Sequence, residues 1–258
     1  YKRQYLTLSH NIDGKQVRRS YSLCSAPYEK VLRVGIKAIP NGLFSNYANN
    51  QIKVGDSLEV GAPEGRFVYQ PNGNNNILLL AAGSGITPIL SIAKTALKET
   101  DGKVVLVYGN RSQDDKMFAG ELQALQTAYR HRFEIVHIYS RRKTTDALFG
   151  RIDLSNINYV RNTLFSQLDF DDFYVCGPSG MIKASVQALS DSGVHDENIH
   201  VEHFTTDGKI DRRKVGLVQY EVILDDETHT FSGDASKTIL EAAIAVSYTH
   251  LTLPTNGC

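Results

Sequence analysis

The stretch Ile77-Leu78-Leu79-Leu80-Ala81-Ala82-Gly83-Ser84-Gly85-Ile86-Thr87-Pro88 decides the fold of the second part of this chain. Six consecutive apolar residues lead into a glycine loop, and a helical pattern follows at 88–99. A strand that is apolar throughout is typical of a parallel sheet with helices on both faces. Apolar runs and helical patterns continue to alternate, which predicts an α/β domain. Its further strands are predicted at 104–108, 133–139, 172–176 and 198–202, and its further helices at 117–129 and 179–191.

The part before this stretch carries a different pattern. Short β-type runs are separated by turn sequences such as Asn11-Ile12-Asp13-Gly14 and Pro40-Asn41-Gly42. Closely spaced strands of this kind predict an antiparallel β barrel. The predicted strands are 5–8, 20–23 and 32–36.

Changes of composition predict five segments along the chain. The barrel pattern ends at a polar, turn-rich run, and a charged run follows the α/β pattern. Beyond the charged run, the alternation from Val218 to Leu224 predicts a half-buried strand, and 236–245 has a helical pattern with Ser236 at its cap. The predicted segments are a barrel at 1–73, an α/β domain at 74–206, a linker at 207–216, a partial β-grasp domain at 217–245 and a non-native tail at 246–258.

Composition and charge exclude several classes of function. Of the 258 residues, 41% are hydrophobic and 22% charged, as in an ordinary globular protein. Lys plus Arg and Asp plus Glu both number 28, so we expect neither nucleic acid nor a membrane surface as a partner. No apolar run approaches the roughly 20 residues that span a bilayer. Three widely spaced cysteines form neither a disulfide framework nor a metal-ligand cluster, so we expect a cytoplasmic protein and no metal site in this chain.

Three short motifs indicate a family when they are taken together. Arg19-Ser20-Tyr21-Ser22 is followed by the glycine loop that begins at Gly83, and then by Cys176-Gly177-Pro178. In this order and at this spacing they resemble the ferredoxin-NADP reductase family. The resemblance covers residues 1–204. It implies an FAD-binding barrel, a following nucleotide-binding domain, and an NAD(P)H-dependent electron-transfer reductase.

The first motif carries the chemistry that a flavin dinucleotide needs. Its pyrophosphate requires cations or amide donors, and its ring requires an aromatic or apolar face. Residues two apart on a strand point the same way, so Arg19 and Tyr21 can contact one ligand. The resemblance implies Arg19 on the pyrophosphate, Tyr21 against the ring and Ser22 near flavin N5. The alternative is a barrel strand with an exposed arginine and a half-buried tyrosine.

A second flavin contact is expected at the start of a predicted helix. Gly42-Leu43-Phe44-Ser45 opens this helix, whose N-terminal amides and positive dipole end suit a phosphate. The resemblance implies that Gly42, Phe44 and Ser45 bind FAD, and that Phe204 lies near the ring. The alternative for Ser45 is an ordinary helix cap.

The glycine loop is expected to bind the nicotinamide nucleotide. It lies between a predicted strand and a helix, the context in which such a loop cradles phosphates. Pro88 stands where the usual dinucleotide fingerprint has a third glycine, which points to the reductase family. The resemblance implies that Gly83, Gly85 and Pro88 bind the nucleotide and that Thr87 lies near the nicotinamide and the flavin. A plain strand-to-helix turn is the alternative.

The residues after the second and third strands of the α/β domain bear on nucleotide preference. A 2'-phosphate calls for arginine or lysine, whereas an NAD site often has a carboxylate. Both segments resemble NADP-type members, so Arg111, Ser140 and Arg141 are assigned to the 2'-phosphate of NADPH. A solvated basic turn is the alternative for Arg141-Arg142-Lys143.

Cys176-Gly177-Pro178 also follows a strand and precedes a helix. The resemblance implies that Cys176, Gly177 and Pro178 contact the nucleotide, with Cys176 beside nicotinamide C4 and flavin N5, where hydride passes. Neither a histidine nor a second cysteine accompanies Cys176 in a recognisable pairing, so it is expected to be a positioning residue and not a nucleophile. Simple packing at a strand end is the alternative.

The last segment resembles the opening of a plant-type 2Fe-2S ferredoxin domain. Such a domain needs four cysteine ligands, and only Cys258 follows the predicted helix, so the cluster is expected only in a full-length parent. We expect that the chain is truncated at both ends. The parent resembles oxygenase reductases of the phenylacetyl-CoA epoxidase and ketosteroid hydroxylase type, with an oxygenase or hydroxylase component as electron acceptor. The alternatives are a stand-alone flavin or flavohaemoglobin-type reductase module and a non-catalytic, FAD-binding regulatory subunit.

Overall fold

A computed structural model describes residues 4–204, 217–224 and 227–234. The chain divides into two compact units, residues 1–204 and 205–258, and each is described by itself. The boundary near residue 73 and the other segment limits stay predictions. The predicted linker, the helix at 236–245 and the tail at 246–258 lie outside the described residues.

The beginning of the first unit, called the flavin half below, is an antiparallel sheet with one helix. Strands β1 and β2 form a hairpin whose two turn residues, Asp13 and Gly14, both have positive φ, as a two-residue hairpin turn requires. Strand β3 pairs with the other edge of β1, giving the order β2-β1-β3. The elements are β1 (Tyr5–Ile12), β2 (Lys15–Ser22), helix α1 (Leu43–Asn50) and β3 (Glu59–Val60).

The antiparallel class is confirmed, but the strand predicted at 32–36 is wrong. Within that run only Val34 pairs, through an isolated bridge to Leu23. Leu32 is 59% exposed, and Val34 and Ile36 are only partly buried against the core of the flavin half. Within residues 4–204 the antiparallel part is a three-stranded sheet and not a closed barrel. Its core consists of Leu6, Leu8, Ile12, Val17, Leu23 and Phe44.

The remainder of the first unit, called the nucleotide half, is a parallel sheet between helices. All six strands run in one direction in the order β7-β6-β5-β4-β8-β9. Its strands are β4 (Ile77–Ala82), β5 (Val104–Asn110), β6 (Phe133–Tyr139), β7 (Leu148–Phe149), β8 (Asp172–Cys176) and β9 (Ile199–Glu202). Its helices are α2 (Ile86–Glu99), α3 (Ala119–Ala128), α4 (Leu154–Tyr159) and α5 (Ser179–Asp191).

The apolar run before the glycine loop forms the centre of this sheet. Ile77 and Leu79 pack on one face with α2, and Leu78 and Leu80 pack on the other face with α5. All four are fully buried. The prediction of a parallel sheet covered on both faces is therefore confirmed.

Element boundaries differ from the predictions at a few points. Helix α2 begins at Ile86, two residues early, because the glycine loop is itself a turn of 3₁₀ helix that leads into it. Helix α3 begins two residues late, because Phe118 adopts a left-handed conformation with φ 58°. The sequence did not predict β7 or α4, which are too short for a periodic pattern.

In the second unit the structure describes a single antiparallel hairpin, β10 (Leu217–Leu224) with β11 (Glu227–Asp234). The predicted strand at 218–224 is confirmed, whereas β11 was not predicted. The rings of Tyr220 and Phe231 stack across the pair at 5.4 Å between centroids. No helix within the described residues is long and apolar enough to cross a lipid bilayer.

Candidate functional site

The order of the parallel strands identifies where a ligand binds in the nucleotide half. From β4 the chain proceeds through β5, β6 and β7 on one side, and it then returns to place β8 and β9 on the other. In open parallel sheets of this kind, ligands bind at the carboxyl ends of the strands on either side of this reversal. The glycine loop follows β4, and Cys176-Gly177-Pro178 ends β8. Two predicted nucleotide segments therefore meet at the reversal point.

Gly85 makes the closest backbone contact of this site. A methyl group at Gly85 would lie 2.1 Å from the carbonyl oxygen of Cys176 and 2.9 Å from the amide nitrogen of Gly177. Any side chain would separate the two loops, so only glycine fits. Gly83 has φ 55°, which also favours glycine. Gly85 thus brings the loops after β4 and β8 together, and Gly83 permits the turn that leads into it.

Thr87 and Pro88 occupy the first turn of α2. Proline is tolerated there because its missing N–H has no intrahelical partner to lose. The Thr87 hydroxyl donates to the carbonyl of Ser84 at 3.0 Å, and the side chain is only 2% exposed. Thr87 therefore fixes the shape of the glycine loop from inside the helix.

Cys176 is fully buried at the end of β8, and Glu202 of β9 lies beside it in the parallel register. Burial, with a contribution from Glu202, raises the pKa of the Cys176 thiol. A protonated thiol is a poor nucleophile, which supports a positioning role. Pro178 precedes α5 with φ −60° and ends the loop.

Glu202 is the functional candidate that the sequence alone did not single out. Burial raises the pKa of its carboxyl to about 7. Its buried Oε2 atom has no hydrogen-bond partner within residues 4–204. A carboxyl with a pKa near 7 beside Cys176 can hold a proton near neutral pH. The family resemblance implies an acidic residue near the flavin at this point of the chain, but only Phe204 was assigned to the site.

The three residues assigned to the 2'-phosphate lie together at the ends of β5 and β6. The amide of Arg141 donates to the carbonyl of Arg111 at 3.0 Å, and the amide of Ser140 donates to the carbonyl of Asn110 at 3.0 Å. The Arg111 and Arg141 side chains are exposed. Since the parallel register continues past both strands, the two arginines form one basic edge.

The three flavin residues of β2 alternate between its two faces. Arg19 is exposed, and its guanidinium donates to the carbonyl of Arg18 at 2.7 Å. Tyr21 is half-buried, with its ring 5.7 Å from that of Phe44. Ser22 is buried on the opposite face. Arg19 and Tyr21 therefore share one face, as predicted from strand periodicity, and Ser22 does not.

The start of α1 is not capped by the serine that the sequence offers. Ser45 accepts a hydrogen bond from the amide of Ile39 and donates to the carbonyl of Gly42, both at 3.4 Å. It leaves the first amides of the helix to other partners, as a phosphate site requires. The Phe44 side chain lies in the core, so a ligand can contact Phe44 only through its backbone.

The two halves of the first unit contact each other directly beside these loops. A methyl group at Gly35, in the segment after β2, would lie 2.7 Å from the ring of Phe118 and 2.9 Å from Thr87. The sequence did not predict this contact, because Gly35 was assigned to a strand. Phe204, the last described residue of the unit, is 42% exposed. No described contact ties Phe204 to the other site residues.

The site residues fit the two groups that such proteins bind. The Arg19 guanidinium keeps donors for a phosphate, and the ring of Tyr21 remains half-open for stacking. At Gly83 an added methyl group would meet nothing within 4 Å, so this part of the loop is open to a dinucleotide. Within the described residues, no group of His, Cys, Asp and Glu could hold a metal ion.

Comparison with known proteins agrees with this division of the first unit. The description "Oxidoreductase FAD-binding domain" matches residues 2–69, and "Oxidoreductase NAD-binding domain" matches residues 79–187. The chain is thus an oxidoreductase with a flavin-binding and a nicotinamide-nucleotide-binding part.

Two curated relatives extend the match. A component of 1,2-phenylacetyl-CoA epoxidase from Escherichia coli is 38% identical over 218 residues, which are 83% of this chain and 61% of that protein. The ferredoxin reductase component of 3-ketosteroid-9-alpha-monooxygenase from Rhodococcus rhodochrous is 32% identical over 259 residues, 94% of this chain and 70% of that protein. The chain therefore spans about three fifths of the epoxidase component.

A solved structure shows the same fold. A ferredoxin NADP+ reductase from Neisseria gonorrhoeae, with bound FAD and NADP, superposes with a TM-score of 0.65 at 25% identity and covers 80% of this chain and 87% of that one. Sequence motifs, strand order, domain matches and relatives agree, and the chain belongs to the ferredoxin-NADP reductase family of FAD- and NAD-binding oxidoreductases.

Proposed function

We propose that this chain transfers electrons from NADPH to FAD as the reductase component of an oxygenase system. In the full-length protein the electrons pass on to a 2Fe-2S cluster and then to an oxygenase or hydroxylase partner. The observation that carries this proposal is the contact of Gly85 with the backbone of Cys176, next to the contact of Thr87 with Gly35. These contacts join the nucleotide loops to each other and to the flavin half.

The chemistry of the bound groups would be hydride transfer from the nicotinamide to the flavin, followed by release of single electrons. The chain itself orients the two bound groups and excludes water from them. Arg19 and the first amides of α1 bind the pyrophosphate, and Tyr21 supports the ring. Thr87 and Cys176 would lie beneath the bound nicotinamide, and Glu202 would hold a proton at its carboxyl near neutral pH.

NADPH is favoured over NADH by the basic edge at the end of the sheet. Arg111 and Arg141 are exposed on neighbouring strands whose backbones are hydrogen-bonded at 3.0 Å. A 2'-phosphate is recognised by such pairs, whereas a 2'-hydroxyl needs an acceptor. Arg142 continues the same exposed turn and serves as the matched control.

The oxygenase partner and the cluster belong to the proposal for the whole protein. Both curated relatives carry names of oxygenase or epoxidase components. The hairpin β10–β11 follows the nucleotide half in the chain. An additional electron-transfer domain would account for this hairpin, whereas a stand-alone reductase module would have no such segment. The chain contains three cysteines, fewer than the four ligands of a plant-type cluster.

Anaerobic stopped-flow measurement of flavin reduction tests the proposal. The FAD-loaded chain should lose its oxidised-flavin absorbance faster with NADPH than with NADH at equal concentrations. The double variant Arg111→Ala with Arg141→Ala should lose most of this preference through KM, because the 2'-phosphate is remote from the transferred hydride. Arg142→Ala should keep it.

Three results decide between the alternatives. A flavin that stays oxidised under both nucleotides would identify a binding protein without activity. Equal loss of activity with both nucleotides in the double variant would make the arginines structural. Iron bound stoichiometrically to this chain after reconstitution with iron and sulfide would contradict the assignment of the cluster to the full-length protein.

A further inference from the structure

Four charged side chains connect the two halves of the first unit away from the ligand loops. Glu29 and Arg33 lie in the segment between β2 and α1, Lys94 lies on α2, and Glu121 lies on α3. We call these four residues the ionic bridge. Two of them are positive and two negative, so their formal charges cancel. The ionic bridge is the only cluster of ion pairs between the halves in the described part of the chain.

Lys94 is at the centre of the ionic bridge. Its side chain is only 5% exposed, although lysine is almost never buried without a partner. The ammonium nitrogen lies 3.1 Å from Oε2 of Glu29, 2.5 Å from Oε1 of Glu121 and 3.4 Å from the carbonyl oxygen of Cys24. It therefore contacts an acidic group from each half and a backbone group from the flavin half.

Arg33 contributes a second connection between the halves. Its Nη2 atom donates to both oxygens of Glu121 at 2.6 and 2.8 Å, and its guanidinium lies over the ring of Phe118 at 5.8 Å. Burial acts to raise the pKa of Glu121, but hydrogen bonds from Arg33 and Lys94 outweigh it and keep the pKa below its usual value. Glu121 is thus ionised and shared between the two cations.

The ionic bridge is connected to both reacting surfaces by backbone contacts. The carbonyl of Arg33 accepts a hydrogen bond from the amide of Cys24 at 2.8 Å. Cys24 lies two residues after Ser22, which ends the expected flavin strand β2. Two residues beyond Arg33, Gly35 packs against Thr87 of the nucleotide loop. A displacement of the segment that carries Arg33 therefore moves the flavin strand relative to the nucleotide loop.

Buried charges constrain geometry more than they add stability. An apolar replacement of similar volume is often as stable as a buried ion pair, because the pair loses hydration when it is buried. Lys94, however, must keep its carboxylates within a few ångströms, since an unpaired buried ammonium is costly. Other packings of the two halves that separate Lys94 from Glu29 are thereby disfavoured.

We propose that Lys94 and Arg33 are positioning residues, and that the ionic bridge sets the spacing between the flavin half and the nucleotide half that hydride transfer requires. This proposal rests on the proposed function. Neither residue touches a reacting atom. Both act through the segment between Cys24 and Gly35.

The expected signature is slower chemistry with unchanged binding. A misplacement of about 1 Å can lower the rate of a positioned reaction about 100-fold. Lys94→Met keeps an unbranched side chain and removes the charge. We expect the rate constant of flavin reduction at saturating NADPH to fall about 10- to 100-fold. FAD content and the dissociation constant of NADP+ should change less than about twofold, because neither binding surface includes Lys94.

A matched control lies one helical turn away. Lys98 is exposed on the same helix, and Lys98→Met should leave the rate constant unchanged. Since a buried substitution can prevent folding, Arg33→Met and Glu29→Gln provide a second test at side chains that are 43% and 28% exposed. The effects of Lys94→Met and Glu29→Gln should be less than additive, because the two side chains contact each other.

Each outcome supports or overturns the proposal. A slower reduction step with FAD and NADP+ binding retained supports it. An unchanged rate constant in Lys94→Met overturns it, and so does loss of FAD or of folding in all three variants, which would show a purely structural role. If the unsubstituted chain itself does not reduce its flavin with NADPH, the proposed function fails first and this inference fails with it.

Discussion

The two halves of the first unit differ in how their strands are held. In the nucleotide half, every residue of β5 and nearly every residue of β4 is buried, and helices cover both faces. In the flavin half, β2 exposes half of its residues, and the core between the sheet and α1 is small. One half thus has a large core of its own, whereas the other has a small core, and its position is also set by contacts across the boundary such as the ionic bridge and Gly35. The nucleotide half therefore contributes most of the buried core, whereas the flavin half presents more exposed side chains for ligand contacts.

The largest expected effect tests this inequality in stability. Leu79 is fully buried at the centre of β4, and Leu8 is 5% exposed in the smaller core. Leu79→Ala should lower the free energy of unfolding toward the upper end of about 2–5 kcal/mol, and Leu8→Ala toward the lower end, because a looser site relaxes around the cavity. Denaturant titration of both variants measures the difference. Equal losses would remove the distinction between the halves.

The next effect concerns the affinity for FAD, which we expect to depend on exposed residues of the flavin half such as Arg19. Arg19→Ala should weaken FAD binding by about 1.5–3 kcal/mol, roughly 10- to 150-fold, because a charge-assisted contact to the pyrophosphate is lost. Lys15→Ala, an exposed cation on the same strand, is the control. Flavin content after dialysis is measured by absorbance. Undiminished content in Arg19→Ala would contradict the assignment.

A smaller effect is expected at the contact between the two nucleotide loops. Gly85→Ala should cost about 1–3 kcal/mol in stability through overpacking, since its methyl group would meet the Cys176 carbonyl at 2.1 Å. It should also raise KM for the nucleotide. Gly180→Ala is the control, because a methyl group there meets nothing within 4 Å. Thermal unfolding and flavin reduction should both distinguish the two variants.

The smallest effect is a pH dependence at the edge of the sheet. The pKa of Glu202 in the folded protein is about 7, above its usual 4.5, so the folded state binds more protons than the unfolded state between these values. Stability should therefore fall as pH rises from about 4.5 to 7. Because the carboxyl is partly open to solvent, we expect about 1 kcal/mol or less. Glu202→Gln should flatten this slope in denaturant titrations at several pH values, and an unchanged slope would assign it to other groups.

Sequence periodicity predicted the nucleotide half well because its information is local. The strands at 77–82, 133–139 and 172–176 and the helix at 179–191 have the predicted bounds. Each is apolar enough to be recognised without knowing its neighbours. The strand predicted at 32–36 failed for the opposite reason, since Arg33 and Gly35 contact the other half of the unit, and Val34 is the only residue of the run that pairs with another strand segment.

The candidate site shows the same division. Its glycine loop was predicted because phosphate loops follow strands within a few residues, whereas the roles of Thr87 and Cys176 were predicted from the family resemblance. Glu202 was not singled out, because its significance comes from burial beside Cys176. Phe204 stays a prediction.

The sequence by itself determined the family and the α/β character of the nucleotide half, since these depend on patterns within single segments, and it predicted a set of ligand residues. Only the tertiary structure decided that Ser45 does not cap α1 and that Lys94 is buried between two carboxylates. The physical reason is that burial and ion pairing depend on residues distant in sequence. Lys94 and Glu29 are separated by 65 positions along the chain and by 3.1 Å in the fold.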